Sequence, residues 1–376
     1  MTRAEASVLL AAGGTGGHLF PAQALAEELQ RRAIIVDLVT DMRGDRYGTG
    51  FPARQVYRVP AATLAGRSPM AMARTAGLLA RGLAVAYRLL GKVRPQAVIG
   101  FGGYPTFPPL KAASLRGIPT AVHEQNAVLG RANRMLAKSV SRIATSFETT
   151  RFLGPELQAK AVLTGNPVRA AVIEAAQRTY AKPDPAGQIE LLVFGGSQGA
   201  RFFSEVVPPA LALLPADLHG RLNVVQQARA EDLDRVVAAY RDSGSRAEVA
   251  AFFRDLPQRM AAAHLVVGRS GASTVAELTV IGRPSILVPL PHALDNDQLQ
   301  NAARLAESGA AWCIEQKDLS PERLAGDIGA LLGDPDRLEA ASAAAKRLGR
   351  PDAVGRLADL VEALMSEGRR PQGPVP

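Results

Sequence analysis

The segment LVVGRSGASTVAE, residues 265–277, decides the fold of this chain. Its first four residues form an apolar run typical of a buried parallel strand, and its last residues begin a helical pattern. The glycine and small hydroxylated residues between them let a ligand approach the backbone and leave the first N–H groups of the helix free to face an anion. Glu277 falls about one turn into that helix, where a carboxylate can accept hydrogen bonds from the hydroxyls of a sugar. The segment predicts either a nucleotide-sugar site or an ordinary strand-turn-helix with a capping serine and a surface glutamate.

The same alternation of apolar runs and helical patterns extends through the chain in two series, which predicts two doubly wound parallel-sheet α/β domains. The first series has strand candidates at residues 7–12, 34–40, 97–100, 120–123 and 142–145. The second has them at residues 189–194, 222–225, 246–250, 265–268, 285–288 and 311–314. A turn-rich joint near Pro167 predicts a first domain over residues 1–168 and a second over residues 169–352, with a helix over about residues 353–367 crossing back to the first.

Composition and charge narrow the function. The chain has 376 residues, enough for two domains, and its single cysteine, Cys313, excludes an internal disulfide framework. A strand pattern begins at Ser7, so we expect no N-terminal targeting signal. Residues 1–168 hold 21 Lys and Arg against 9 Asp and Glu, whereas the remainder holds 23 against 26. The basic half is expected to face an anionic partner, which could be nucleic acid, a phospholipid surface or a polyphosphate substrate.

The apolar stretch at residues 70–90 contains three arginines, Arg74, Arg81 and Arg88, which argue against a lipid-exposed membrane span. They recur every seven residues and so lie along or near one face of a helix, with Leu78 and other apolar residues around them. Such a helix could lie in a membrane interface with its arginines on anionic headgroups. It could equally cover a domain with a solvated basic stripe.

Two glycine-rich turns follow strands of the first series. Residues 13–18, GGTGGH, follow the first strand, and their backbone amides could wrap a phosphate. They do not match the dinucleotide fingerprint, because Leu19 stands where its last glycine would be. Residues 100–106, GFGGYPT, form the second turn. The carboxyl ends of parallel strands share one edge of a sheet, so the two turns together predict a site for a pyrophosphate-bearing ligand.

Two further loops belong to the second series. Residues 194–200, FGGSQGA, repeat the pattern of a glycine-hydroxyl loop leading into a helix. Residues 292–301, HALDNDQLQN, are rich in amide and carboxylate groups that bind sugar hydroxyls. Within them Asp295 and Asp297 form a D-x-D pair that could hold a divalent metal or merely cap a helix.

His18 and Glu124 are the two candidate general bases. His18 follows a glycine loop near a helix N-terminus, where the dipole disfavours the imidazolium and leaves a neutral base near pH 7. Glu124 comes just after a strand, from which its carboxylate could face a ligand. Either residue could instead serve as a structural hydrogen-bonding group.

Seven motifs occur in one order over nearly the whole chain: residues 13–18, 102–104, 123–126, 165–169, 195–200, 269–277 and 295–301. Together they resemble the MurG family of peptidoglycan N-acetylglucosaminyltransferases. The resemblance implies a GT-B fold, in which two Rossmann-like domains face each other across a cleft. It also implies inverting transfer of N-acetylglucosamine from UDP-N-acetylglucosamine to undecaprenyl-pyrophosphoryl-MurNAc-pentapeptide (lipid I to lipid II). The implied location is peripheral, on the cytoplasmic face of the inner membrane, with an anionic membrane surface and other cell-wall synthesis proteins as partners and no nucleic acid. No cofactor is implied as a requirement, and a role for Mg²⁺ stays open.

Carried over by position, the resemblance also implies residue roles. Glu277 would bind the ribose, the backbone near Phe253 the uracil, and Gln298 with Asn126 the donor sugar. The residues implied at the nucleotide diphosphate or beside it are Arg169, Ser197, Ala272, Ser273, Thr274, Val275 and Ala276. Those implied near the donor sugar or the acceptor pyrophosphate are Gly14, Thr15, Gly16, Gly17, Gly102, Gly103 and Tyr104. The chain departs from the family at residues 226–229, QQAR, which lack an expected glycine, and at Asp297.

Three other functions remain open on the sequence. A GT-B enzyme that glycosylates another membrane lipid, such as diacylglycerol, would share the donor site. A non-catalytic sensor of UDP-sugars would keep Glu277 and Ser197 without turnover. A nicotinamide oxidoreductase would use Asp41, near the end of the second strand, to bind a ribose.

Overall fold

The computed structural model describes residues 6–13, 16–41, 50–61, 68–196 and 199–368. The chain divides into two compact units. Unit 1 comprises Met1–Arg169 with Asp352–Pro376, and unit 2 comprises Ala170–Pro351.

Unit 1 is built on a parallel sheet in which seven strands are described, in the order β3-β2-β1-β4-β5-β6-β7. The strands are β1 (Ser7–Ala11), β2 (Ile35–Thr40), β3 (Gln55–Arg58), β4 (Ala97–Gly100), β5 (Thr120–Glu124), β6 (Arg142–Thr145) and β7 (Ala161–Leu163). The helices before residue 169 are α1 (Gly16–Arg31), α2 (Pro69–Val93), α3 (Phe107–Leu115), α4 (Arg131–Ala137) and α5 (Pro155–Gln158). Strands β1 and β4 pair in register, with Ala11 opposite Gly100, so the loops that follow them leave the same edge of the sheet.

Both faces of this sheet are covered, because the strands are apolar on both sides. Val8 and Leu10 of β1 belong to a core that includes Leu25 and Leu29 of α1. Leu9 of β1 points to the opposite side, into a core shared with α2, α3 and α4. Since the side chains of a strand alternate between faces, one short strand joins both cores.

Unit 2 repeats the architecture with six described strands in the order β10-β9-β8-β11-β12-β13. They are β8 (Ile189–Phe194), β9 (Leu222–Gln227), β10 (Arg246–Ala250), β11 (Leu265–Gly268), β12 (Ser285–Leu287) and β13 (Ala311–Cys313). The helices are α6 (Ala170–Ala175), α7 (Arg201–Ala212), α8 (Ala216–His219), α9 (Leu233–Asp242), α10 (Leu256–Ala262), α11 (Ala272–Ile281), α12 (Asp297–Glu307), α13 (Pro321–Leu332) and α14 (Pro335–Leu348). Strand β8 pairs with β9 and β11, so the central strand order changes direction at β8.

The last helix, α15 (Ala353–Gly368), completes unit 1 rather than unit 2. Leu357, Val361 and Leu364 on one face of α15 join the core that contains β1 and α1. On its rim, Arg32 donates to Asp359 at 2.6 Å and to Glu362 at 3.0 Å.

Every strand predicted from the sequence is present, and its ends agree with the prediction to within two residues. Strands β3 and β7 were not predicted. Both are edge strands whose residues are exposed or half-buried, so neither has the apolar run that marks an interior strand. Among the described helices, none combines the length and apolarity that crossing a bilayer requires.

Candidate active site

In unit 1, the loops after β1 and β4 meet around the imidazole of His18. His18 is the third residue of α1. Gly102 and Gly103 have φ angles of +89° and +74°, in the left-handed region that favours glycine. A Cβ on Gly102 would lie 3.3 Å from Cε1 of His18, and one on Gly103 would lie 3.4 Å from its Cδ2. The two glycines therefore let the turn lie directly against the ring, with Tyr104 beginning a short 3-10 turn behind it.

His18 is held as a neutral imidazole. Its Nδ1 lies 3.2 Å from Oε1 of Gln125, which follows β5. Burial lowers the pKa of His18, while hydrogen bonds to Gln125 and to the Phe101 carbonyl act in the opposite direction. The imidazole is therefore unprotonated at neutral pH. The hydrogen bond to Gln125 uses Nδ1 and so does not occupy Nε2.

Glu124 is buried and engaged in holding the loop after β5. Its Oε1 accepts from the backbone N–H of Asn126 at 3.0 Å and from the side chain of Asn126 at 3.3 Å. Its Oε2 accepts from the backbone N–H of Gly130 and from the side chain of Asn133, both at 2.8 Å. Burial raises the pKa of Glu124, and these four hydrogen bonds oppose that effect. Because both oxygens are occupied, Glu124 is better placed to support the loop than to take a proton.

In unit 2, α11 begins at the edge of the sheet with its first N–H groups unclaimed by a capping side chain. Gly271 is its N-cap residue, with extended backbone and no side chain to accept from Ser273 or Thr274. Ser273 Oγ is buried and has no hydrogen-bond partner within the described chain. A helix N-terminus with free amides and an unsatisfied hydroxyl is suited to bind an anion such as a diphosphate.

The loop that precedes α11 is fixed by polar contacts to the start of α12. Ser270 Oγ donates to the carbonyl of Gln298 at 2.8 Å, and Asn301 Nδ2 donates to the carbonyl of Ser270 at 3.0 Å. Gln298 Oε1 in turn accepts from the N–H of Leu290 at 3.0 Å. The structure thus brings Gln298 to the loop that carries the α11 amides, and its Nε2 is the half of the amide that this hydrogen bond does not use.

Arg269 stabilises the same loop through hydrogen bonds to the segments after β12 and β13. Its guanidinium donates to the carbonyls of Val288 and Pro289, both at 3.0 Å, and to Oε1 of Gln316 at 2.6 Å. It also lies 5.0 Å from the ring centroid of Phe203. Burial lowers its pKa to about 10, so it keeps its charge at neutral pH. Arg269 is two residues before the N-cap Gly271, so these hydrogen bonds fix the loop that leads into α11.

The other two loops at this edge of unit 2 are joined by Gln227, the last residue of β9. Its Oε1 accepts from the N–H of Gly195 at 3.1 Å and its Nε2 donates to the carbonyl of Ala251 at 3.2 Å. Phe253, two residues on, is buried and lies under the guanidinium of Arg259, 4.5 Å from the ring centroid. Gln227 therefore ties the loop after β8 to the loop before α10.

The loop before α12 has a strained backbone. His292, Asp295 and Asn296 have φ angles of 57°, 56° and 55°, which non-glycine residues rarely adopt. Asp297 Oδ1 accepts from the N–H of Gln298 at 2.7 Å, and burial raises the pKa of Asp297. This geometry orients Gln298. In the described ranges, no group of three or more His, Cys, Asp and Glu side chains converges as a metal site would require.

The three arginines that the sequence places along one face of a helix lie on the outer surface of α2. Arg74, Arg81 and Arg88 are exposed, whereas Thr75 and Ala86 on the other side of the helix are buried. Large apolar side chains are exposed around the arginines: Met70, Met72, Leu78 and Tyr87. The exposed surface is thus basic and apolar together.

Glu277 is the sixth residue of α11 and is buried, so it lies deeper in the helix than the expected single turn. The amide-bearing residues Ala272, Ser273, Thr274, Val275 and Ala276 precede it in the same helix. Gly16 and Gly17 open α1, and Arg169 lies 5.7 Å from the ring of Phe20 in that helix. Gly14, Thr15 and Ser197 lie outside the described residues.

Sequence reasoning missed Gln125, Gln227 and the bracing role of Arg269. Gln125 had a readable signal, because it belongs to a run of four polar residues, 123–126, that begins inside the buried strand β5. Gln227 lies in residues 226–229, which the sequence analysis singled out only for the glycine that they lack. Cys313 is half-buried on the edge strand β13.

Two family models match the chain. Residues 8–145 match the glycosyltransferase family 28 N-terminal domain, and residues 190–357 match the glycosyltransferase family 28 C-terminal domain.

Curated relatives match the chain at nearly full length. It is 58% identical over 362 residues to a protein of Methylobacterium sp. (strain 4-46), covering 96% of this chain and 97% of the relative. It is 53% identical over 360 residues to a protein of Chelativorans sp. (strain BNC1), covering 96% of each. Both relatives are named UDP-N-acetylglucosamine–N-acetylmuramyl-(pentapeptide) pyrophosphoryl-undecaprenol N-acetylglucosamine transferase.

Among solved structures, the chain is similar to Acinetobacter baumannii MurG, with a TM-score of 0.80 and 28% identity over 95% of this chain and 99% of that one. It also shares its fold with the calicheamicin glycosyltransferase CalG4, with a TM-score of 0.67 and 17% identity over 99% of this chain and 100% of that one. Together with the two parallel-sheet units, these likenesses confirm the predicted GT-B fold class.

Proposed function

Because the chain belongs to the MurG family of glycosyltransferases, within glycosyltransferase family 28, we propose that it transfers N-acetylglucosamine from UDP-N-acetylglucosamine to undecaprenyl-pyrophosphoryl-MurNAc-pentapeptide. The observation that carries this proposal is 58% identity to an enzyme named for that reaction over 97% of its length. The residues of the two units suggest how each substrate would be bound and how the reaction would proceed.

The donor belongs to unit 2. Amides from Ala272 onward and the unsatisfied Oγ of Ser273 would hold the diphosphate. Glu277 would accept from the ribose hydroxyls and Gln298 would donate through Nε2 to the sugar. The backbone beside Phe253 would meet the uracil. Ser197 would add a hydroxyl to the diphosphate.

The acceptor belongs to unit 1. The turn at Gly102, Gly103 and Tyr104 would bind its pyrophosphate, with Gly14 and Thr15 adding backbone amides. Gly16 and Gly17 would lie near the donor sugar and the acceptor pyrophosphate, and Asn126 would contact the donor sugar. Arg169 would lie beside the nucleotide. These assignments are supported by the meeting of the β1 and β4 loops at His18.

The reaction needs one base and one stabilised leaving group. Nε2 of His18 takes the proton of the acceptor hydroxyl while that oxygen attacks the anomeric carbon and UDP leaves from the opposite side. Negative charge grows on the departing diphosphate, and the amides and dipole of α11 stabilise it. His18 is a better base than Glu124, because the four hydrogen bonds on Glu124 would have to weaken on protonation.

The exposed surface of α2 fits a peripheral contact with the cytoplasmic face of the inner membrane. Arg74, Arg81 and Arg88 would meet anionic headgroups while Leu78 and Met70, 45% and 68% exposed, would enter the interface. An acceptor carried on a lipid makes such a surface useful, and other cell-wall synthesis proteins are further candidate partners.

The direct test is a turnover assay on purified protein with UDP-N-acetylglucosamine and the lipid-linked muramoyl pentapeptide, with and without a chelator. We expect UDP release that depends on the acceptor and yields the disaccharide lipid. Turnover with diacylglycerol instead would make the chain a glycosyltransferase of another lipid. Donor binding without UDP release on any lipid would make it a sensor.

A further inference from the structure

Gln125 is buried between two histidines, and its surroundings leave only one orientation for its amide. One end of the amide lies 3.0 Å from the carbonyl oxygen of Phe101 and 3.0 Å from that of His123. Carbonyl oxygens only accept, so the atom that faces them is the NH₂ group. The opposite end, which faces His18, is therefore the carbonyl oxygen Oε1.

This orientation determines the proton on His18. Oε1 of Gln125 can only accept, and Nδ1 of His18 lies 3.2 Å from it. Nδ1 must then carry the hydrogen, and in a neutral ring Nε2 is left with its lone pair. In free histidine the proton prefers Nε2, so the protein environment selects the other tautomer.

The second histidine makes the arrangement rigid. Nε2 of His123 lies 2.9 Å from the carbonyl oxygen of Gly165, so this nitrogen carries the hydrogen. Its Nδ1 lies 2.9 Å from Nε2 of Gln125 and accepts from it. Burial lowers the pKa of His123 to about 4, so the ring stays neutral and Nδ1 stays an acceptor. The hydrogen bonds therefore all point one way: His18 donates to Gln125, Gln125 donates to His123, and His123 donates to the carbonyl of Gly165. The ring of His123 and the carbonyls of Phe101 and His123 prevent the Gln125 amide from rotating by 180°.

We propose that Gln125 is a positioning residue that holds His18 in the Nδ1–H tautomer, so that Nε2 is the atom that accepts the proton of the sugar hydroxyl. The catalytic part of this proposal rests on the proposed function, whereas the tautomer does not. A neutral amide does this without adding charge, so it fixes the proton without strengthening the base as a carboxylate would.

The tautomer is measured directly by ¹⁵N NMR of the full-length protein with labelled histidine. In the wild type we expect the His18 ring to show a protonated Nδ1 and an unprotonated Nε2 at pH 7.5. A His18 signal with the proton on Nε2 would overturn the proposal, and this measurement requires no variant.

Gln125→Met tests whether Gln125 selects the tautomer of His18, because methionine has a similar volume but no amide oxygen to accept a hydrogen bond from Nδ1. We expect the Nε2–H form of His18 to appear and kcat to fall by about 10- to 100-fold, with KM for UDP-N-acetylglucosamine within about twofold of wild type. Gln226→Met is the matched control, since Gln226 is also a buried glutamine, bonded to Tyr240 and to the carbonyl of Phe203 in unit 2. The control should keep the wild-type tautomer.

The outcomes separate the two proposals. If Gln125→Met alters the tautomer and leaves kcat unchanged, the positioning role is wrong. If the two glutamine variants lose kcat equally without a change of tautomer, the effect is general destabilisation and the positioning role is again wrong. If wild-type His18 has the Nδ1–H tautomer but His18→Ala turns over normally, the proposed base is wrong and the tautomer assignment stands.

Discussion

Acid should weaken unit 1 through His123, which the fold keeps neutral. The ring is fully buried in β5, and burial lowers its pKa from 6.5 to about 4. A second ring proton would displace Gln125 from Nδ1, since the first already bonds to Gly165. Lowering the pH from 7.5 to 5 is therefore the perturbation of choice.

The magnitude follows from the two pKa values. The unfolded chain takes up the His123 proton as the pH falls through about 6.5, and the folded protein takes it up only near pH 4. Between these values the unfolded state binds more protons, so stability that is present above pH 6.5 is lost as the pH falls. At about 1.4 kcal/mol per pH unit, the loss is about 2 kcal/mol at pH 5 and approaches about 3 kcal/mol below pH 4.

Hydrogen exchange measures this loss within one unit, which whole-protein melting of a two-unit chain would not. After correction for intrinsic rates, protection of the β5 amides should fall by roughly 30-fold between pH 7.5 and pH 5. His123→Gln keeps an N–H for Gly165 and has no group that titrates there, so its β5 protection should change far less. Strand β9 of unit 2 serves as the internal reference. An equal pH response in wild type and His123→Gln would refute the reasoning.

Three substitutions test the candidate site. His18→Ala should lower kcat by about 10²- to 10⁴-fold with little change in donor affinity, measured by steady-state kinetics and calorimetry. Glu277→Ala should weaken binding of UDP-N-acetylglucosamine by about 10- to 100-fold, measured by calorimetry, because charged hydrogen bonds to the ribose are lost. Replacing Arg74, Arg81 and Arg88 together by Glu should lower the fraction of protein that sediments with anionic vesicles by at least about tenfold.

Two of these variants have a matched comparison, the one at Glu277 and the one at the three arginines. Glu322→Ala removes an exposed carboxylate from the first turn of α13 and should leave donor affinity unchanged. Replacing the exposed Arg323, Arg337 and Arg347 of unit 2 by Glu gives the same change of net charge and should leave vesicle binding intact. Full turnover in His18→Ala, wild-type affinity in Glu277→Ala, or equal vesicle binding by the two arginine variants would each remove the corresponding role.

The sequence predicts interior strands well and edge strands poorly, for a physical reason. A strand such as β11 is buried on both faces and reads as an uninterrupted apolar run. Strand β3, QVYR, sits at the edge of its sheet and satisfies its backbone along one side only. Its residues need not be apolar, so its pairing with β2 is visible only in three dimensions.

Some features of the candidate site could likewise be predicted from the sequence, and others depend on contacts between distant residues. Glycine turns after β1 and β4 could be assigned to one edge because parallel strands end together. The contact between His18 and Gln125 joins residues 107 positions apart, and no sequence pattern predicts a contact over that separation. Glu124 could be recognised as a carboxylate near a strand end, whereas its hydrogen bonds to Asn126, Gly130 and Asn133 depend on how the following loop folds back.

The return of α15 to unit 1 has a consequence for the order in which the protein matures on the ribosome. Unit 2 is continuous in sequence and can finish folding once Pro351 has emerged. Unit 1 cannot complete its core until α15 has been synthesised, because Leu357, Val361 and Leu364 of α15 cover one side of α1. The first half to be translated is thus the last to be completed, and a released chain that ends at Pro351 should have a complete unit 2 beside a unit 1 whose α1 surface stays accessible to chaperones.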